Sequence, residues 1–111
     1  MTQHLEAIMG LIMHGGDAKS NAVEAIRAAK VYDFEEADQK LKDATAALNV
    51  AHRSQTDLLT QEASGDTVEL SLLMVHGQDH LMTALTFIDM AKEVIDVYKE
   101  MDKVRKECRG G

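Results

Sequence analysis

An all-α fold is predicted, an up-down-up three-helix antiparallel bundle, and three observations carry it. The composition is 45% hydrophobic but only 4% aromatic, lacks proline and tryptophan, and is dominated by Ala, Leu, Glu, Lys and Met, most of which lose little side-chain freedom in a helix. Apolar residues recur at three- and four-residue steps, with none of the Val/Ile/Thr alternation of a strand. Two short polar breaks divide the pattern into three. At 111 residues the chain reads as a single domain, 1–111, small enough that oligomerisation would add to the modest stability its own core supplies.

The first helix is expected from about Gln3 to Val31, with Leu5, Ile8, Ile12, Ala22, Ile26 and Ala29 on its apolar stripe. Gly15-Gly16 interrupts it. Each of these glycines costs about 1 kcal/mol against alanine in a helix interior, so the pair predicts a kink or the close approach of another group. Asp33 with Glu36 has the spacing of a capping box and opens the second helix. Its stripe is Ala37, Leu41, Ala44, Leu48, Ala51, Gln55, Leu58 and Glu62. Ser64-Gly65 makes the next turn, and Asp66 with Glu69 repeats the capping-box spacing, predicting a third helix from there to about Lys106.

That third helix carries two apolar faces. Leu70, Met74, Leu81, Leu85, Ile88 and Ile95 align on one, and Val68, Leu72, Val75, Met82, Met90 and Val97 on the other, with Asp79 in its middle. A helix apolar on two sides is expected to be buried on two sides. His76 and His80, spaced i, i+4, stack along the flank between the faces, where side chains are partly buried yet reachable. Hairpin register sets His76 level with His52, Gln55 and Thr56, and with Ile12 to Asp17, which include His14 and the glycine pair.

A formal net charge of −7 excludes a general nucleic-acid binder and favours partners with basic docking surfaces. The single cysteine, Cys108, cannot form an internal disulfide and fits a reducing cytoplasm. The apolar run Ala7 to Met13 is too short to span a bilayer, and no Lys or Arg precedes it as in a signal peptide, so the chain is expected to be soluble and unexported. Each polar feature also has an ordinary reading. His4 and His14 are read as solvated or hydrogen-bonded side chains, Gln55 and Thr56 as either site residues or a core amide and a helix hydroxyl. The methionines are read as core filler, and Lys99, Lys103, Arg105, Lys106 and Arg109 as a solvated helix end complementing the macrodipole. His76 and His80 have metal-chelating spacing, but no H-E-x-x-H or E-x-x-H pattern supplies further ligands.

The segments Gly16-Asp17-Ala18-Lys19-Ser20, Ala51-His52-Arg53-Ser54-Gln55-Thr56, Glu62-Ala63-Ser64-Gly65 and above all His76-Gly77-Gln78-Asp79-His80-Leu81-Met82-Thr83 resemble the IIA component of the lactose/cellobiose (chitobiose) class of the bacterial sugar phosphotransferase system. Lys19 departs from it, standing where members commonly carry arginine. The resemblance covers almost the whole chain and implies a cytoplasmic homotrimer, a nine-helix bundle. It implies that His76 accepts a phosphoryl group from phospho-HPr and passes it to a cysteine of the cognate IIB protein, with the membrane component IIC downstream. It implies that Asp79 gathers on the three-fold axis around a divalent cation, with Mg2+ the expected ion. Imidazole suits the role, since a neutral ring nitrogen is nucleophilic near pH 7 and its phosphoramidate keeps a high transfer potential. His80 and Gln78 are candidates for contact with the phosphoryl oxygens or the ring, and a neighbouring subunit is a candidate source of His52 or Gln55. Two other readings stay open: a helical interaction or metal-binding module in which His76, Asp79 and His80 hold a structural cation, and a purely structural trimer.

Overall fold

The computed structural model describes residues 4–110, and these form three helices, α1 (Leu5–Lys30), α2 (Phe34–Ala63) and α3 (Leu72–Gly110). The predicted start at Gln3 lies outside the described residues. α2 runs antiparallel to both neighbours, since Glu24 meets Lys40 and Asp38 meets Lys99. The up-down-up order is therefore as expected. The molecule is long and thin, 66 × 21 × 19 Å, and among the described residues no helix is long and apolar enough to cross a membrane.

α1 buries a stripe of mainly small residues, Ile8, Leu11, Gly15, Ala18, Ala22, Ala25 and Ala29. It passes through Gly15-Gly16 without a break, so of the two expectations for that pair the close approach holds. A Cβ built on Gly15 falls 3.1 Å from the backbone carbonyl of His80, and one on Gly77 falls 3.3 Å from the Leu11 side chain. A glycine on each helix thus lets α1 and α3 come together.

Both turns are Schellman motifs. At the first, Tyr32 N–H donates to Ala29 O and Asp33 N–H to Ala28 O, which sets Tyr32 in the left-handed region at φ 62°, a cost for a bulky side chain. Its ring is held by Arg105, stacked 3.9 Å from the centroid, and by edge contacts with Phe34 and Tyr98. The Asp33 carboxylate then accepts from Glu36 N–H at 3.2 Å and caps α2 as predicted. At the second turn Gly65 takes φ 99°, with Gly65 N–H on Glu62 O and Asp66 N–H on Gln61 O.

The predicted Asp66/Glu69 start of the third helix is corrected. Asp66 is engaged in ending α2, its carboxylate accepting from Gln61 Nε2 at 2.6 Å, and residues 66–71 are not helical. Ser71 caps α3 instead, its Oγ accepting from Met74 N–H at 3.1 Å. α3 also runs on past Lys106 to Gly110.

Ile8, Leu11, Leu81, Ile88 and Ile95 are the largest fully buried side chains. Of the first apolar face proposed for α3, Met74, Leu81, Ile88 and Ile95 are in the core, but Leu70 and Leu85 are exposed. The second face behaves differently. Leu72, Val75, Met82, Met90 and Val97 are all exposed, between 43% and 86%, and only Val68, in the connecting segment, packs on the core. Burial on two sides is met on one side only within a single chain.

Candidate functional site

Around α3, at about 100° per residue, the fully buried Leu81 and Ile88 define the core side, and Asp79 points almost directly away from it. His76 and His80 lie on the flank towards α1. Gln78, about 200° around the helix from His76, lies on the flank towards α2. The motif therefore divides over three sides of one helix.

His76 is exposed and His80 half-buried. Their rings meet edge to face with centroids 4.5 Å apart and planes at 84°, and the two Nε2 atoms are 3.2 Å apart. As a hydrogen bond between neutral rings this contact has one Nε2–H donating to the other Nε2, and the tautomers decide which ring donates. Gly15 fixes the height of this pair, because its missing Cβ is what admits the His80 backbone, and a Cβ built on Gly16 would lie 3.8 Å from His80 Nδ1.

On the other flank, Gln55 Nε2 donates to Gln78 Oε1 at 2.6 Å, joining α2 to α3. Leu48, Asn49, His52, Gln55, Leu81, Met82 and Leu85 line a groove beside it of about 370 Å³. The polar layer anticipated from hairpin register thus exists but is split. Gln55 reaches the motif at Gln78, not at His76, and the α1 level nearest His76 is about a turn before the predicted Ile12 to Asp17, with Gly77 against Ile8 and Leu11. The shift follows from the late start of α3.

Several ordinary readings hold. The Thr56 hydroxyl donates to His52 O in its own helix at 3.0 Å, and the His4 ring lies 3.2 Å from Gln61 Nε2. His14 is half-buried but lines grooves between α1 and α2, away from the histidine pair. Lys19 Nζ sits 5.9 Å over the Phe87 ring. The basic end of α3 is more than a solvated terminus. Arg105 and Lys106 bind the buried Asp102 at 2.7 and 3.0 Å, and hydrogen bonds from first Arg105, then Lys106, hold its carboxyl below the ordinary aspartate range. At the opposite sign, the 2.9 Å contact with Glu24 raises Lys40 above the usual lysine value.

The reading in which His76, Asp79 and His80 of one chain hold a cation is corrected. Among the described residues no three His, Cys, Asp or Glu side chains converge in a metal-binding group; Asp79 and His80, neighbours in sequence, leave the helix about 100° apart. The spacing could have said so for Gln78, which at i+2 from His76 lies on nearly the opposite side of the helix, whereas Asp79 at i+3 stays within about 60° of His76. The Gln55 to Gln78 link carried no comparable signal beyond shared level.

Residues 6–99 match the family model described as the lactose/cellobiose-specific IIA subunit of the PTS system. The lichenan-specific phosphotransferase enzyme IIA component of Bacillus subtilis is 49% identical over 106 residues, 95% of this chain and 96% of that protein. Among solved structures, the cellobiose-specific enzyme IIA from Bacillus anthracis superimposes with a TM-score of 0.90 at 42% identity, covering 93% of this chain and 94% of that one. The IIA(Chitobiose) chain solved in complex with HPr, from the N,N'-diacetylchitobiose branch of the Escherichia coli phosphotransferase system, gives a TM-score of 0.78 at 34% identity, covering 92% and 99%.

Proposed function

This chain belongs to the lactose/cellobiose-specific IIA family of the phosphotransferase system, and from that premise we propose that it is a cytoplasmic phosphocarrier that takes a phosphoryl group from phospho-HPr on His76 and hands it to a cysteine of a cognate IIB protein. The observation that carries the reading is the exposed His76 ring with its Nε2 3.2 Å from His80 Nε2. When His80 holds the proton, His76 Nε2 is unprotonated, and its lone pair becomes the nucleophile once the His80 N–H turns from it to the oxygens of the arriving phosphoryl group. That nitrogen attacks phosphorus, the bond to the donor nitrogen of phospho-HPr breaks, and its electron pair returns to the donor nitrogen, so that one N–P bond replaces another. In the return step the IIB thiolate attacks the same phosphorus and the bond to His76 breaks. Phosphoryl transfer demands little covalent chemistry from the protein beyond alignment and donors to the phosphoryl oxygens, and His80 Nε2–H is such a donor.

The assembly proposed is a homotrimer of parallel α3 helices. The uncovered face with Val75, Met82, Met90 and Val97 supplies its seam, and Asp79 lies in that seam at a spacing compatible with a heptad. A lone carboxylate repeated around a three-fold axis gives a set of hard oxygen donors, which suits Mg2+ or a similar divalent cation. The ion would neutralise the three charges. Three-fold rotation keeps axial height, so the α2-side flank of one copy adjoins the histidine flank of the next, with Gln78 within about 3 Å in height of both His76 and His80. The β-linked disaccharide itself is chosen by the membrane component IIC, which this chain would serve through IIB.

Phosphoenolpyruvate, Enzyme I and HPr, mixed with the purified protein, should produce acid-labile, base-stable phosphate on it, dischargeable by IIB. Absence of labelling in a folded protein would leave only a non-catalytic helical module.

A further inference from the structure

We infer that Gln55 is a positioning residue for phosphoryl transfer, clamping the Gln78 carboxamide by its oxygen so that its NH2 group faces the phosphoryl group on His76 of the adjoining copy. The inference rests on the trimeric reading above and adds to it a residue on a different helix. Gln55 and Gln78 are both half-buried, and the bond between them, 2.6 Å with Gln55 as donor, is short for an amide pair. It occupies Gln78 Oε1. A carboxamide carries its oxygen and nitrogen on opposite sides, so fixing the oxygen towards α2 turns both N–H donors away from α2, towards the flank that adjoins the next copy.

Orientation decides the sign of the effect. Charge on the transferring phosphoryl group lies on its oxygens, and a fixed N–H donor stabilises it, while an amide oxygen at the same place repels it. A free glutamine samples both, whereas one held by Gln55 presents the donor before the phosphoryl group arrives. This role makes no contact between Gln55 and the reacting atoms.

Gln55→Glu tests it by inversion. A carboxylate only accepts, so it would draw the Gln78 NH2 towards α2 and turn Oε1 outward. Gln55→Met, of similar length, releases Gln78 without inverting it. Initial rates of transfer from phospho-HPr should give a fall in kcat of roughly 10- to 100-fold for Gln55→Glu and about 3- to 10-fold for Gln55→Met, with KM for phospho-HPr nearly unchanged. Helicity and sedimentation confirm that each variant is folded and assembled before rates are compared. Equal effects of the two substitutions, a wild-type kcat in either, or a loss confined to KM would overturn the inference. Wild-type protein in the same assay keeps the questions separate, since failure of labelling there removes the carrier reading itself. Reassembled mixtures of Gln78→Ala and His76→Gln chains test the placement across copies. They should show a fast labelling phase that neither variant shows alone, and its absence would also overturn the inference.

Discussion

His76 Nε2 faces His80 Nε2 at 3.2 Å across perpendicular rings. On the proposed carrier reading, His80 would serve both states: before transfer it would hold the proton that leaves His76 Nε2 unprotonated, and afterwards its N–H would stand beside the new phosphoryl group. His80→Ala should slow labelling from phospho-HPr by roughly 10- to 100-fold without abolishing it, because the lost group orients and donates but forms no bond to phosphorus. Complete loss in a helical, assembled variant would exchange the roles of the two histidines.

The height of that pair depends on a missing methyl group. Gly15→Ala would set a Cβ 3.1 Å from the His80 backbone, and backbone in a packed helix has little room to yield. Overpacking of this kind costs about 1–3 kcal/mol, against a gain of up to about 1 from helix propensity. The variant should be less stable in urea and slower in transfer. Gly16→Ala is the control, because its nearest neighbour is the His80 Nδ1 atom at 3.8 Å, and it should be neutral or stabilising. Equal stability of the two would show that the helices have room for a methyl group at Gly15.

Much of the bundle was legible because helix periodicity and caps are local. Asp33 capping α2 and Gly65 turning its end follow from residues within five positions of each other. The start of α3 was not legible, since Asp66 and Ser71 compete for the same role and the winner is set by Gln61, which claims the Asp66 carboxylate from the preceding helix. The site divides in the same way. His76 and His80 were paired correctly by i, i+4 spacing, whereas the Gln55 to Gln78 bond joins residues on separate helices and depends on register that a six-residue connection alters. Arg105 stacked on Tyr32 is also a long-range contact, and it covers a tyrosine whose positive φ gives no sign in the sequence.

Asp102 supplies a pH prediction. Its carboxyl is held below the ordinary value by Arg105 and Lys106, so the folded state binds this proton less readily than the unfolded chain. The stabilisation is present above the unfolded aspartate pKa of about 3.9 and is lost as pH falls through the lower folded value. Asp102→Asn should therefore melt below wild type at neutral pH, and the gap should close as the pH drops well below about 3.9. A gap that persists undiminished in acid would mean that packing, not the ion pairs, is what the variant lost.

Asp79 tests the assembly. Three carboxylates meeting on an axis repel unless a cation or protons neutralise them. Asp79→Leu removes the charge and extends the apolar face of Val75 and Met82, so it should leave a trimer whose melting no longer responds to chelators. Sedimentation of the variant as a monomer, beside a wild-type trimer insensitive to chelators, would eliminate the axial cation.

The decisive substitution is His76→Gln. His76 is exposed on its flank, and the side chain replacing it is polar and of similar reach, so helicity and assembly should survive. Phosphate uptake from phospho-HPr should nevertheless disappear. His80, although its Nε2 is only 3.2 Å away, is half-buried with its backbone against Gly15, so it should be the less accessible of the two rings to a partner. Mass spectrometry under alkaline conditions should show one added phosphate per wild-type chain and none on the variant. Stoichiometric labelling of His76→Gln would refute the assignment of the phosphoryl group to His76, and the mass of the labelled peptide would show which residue carries it.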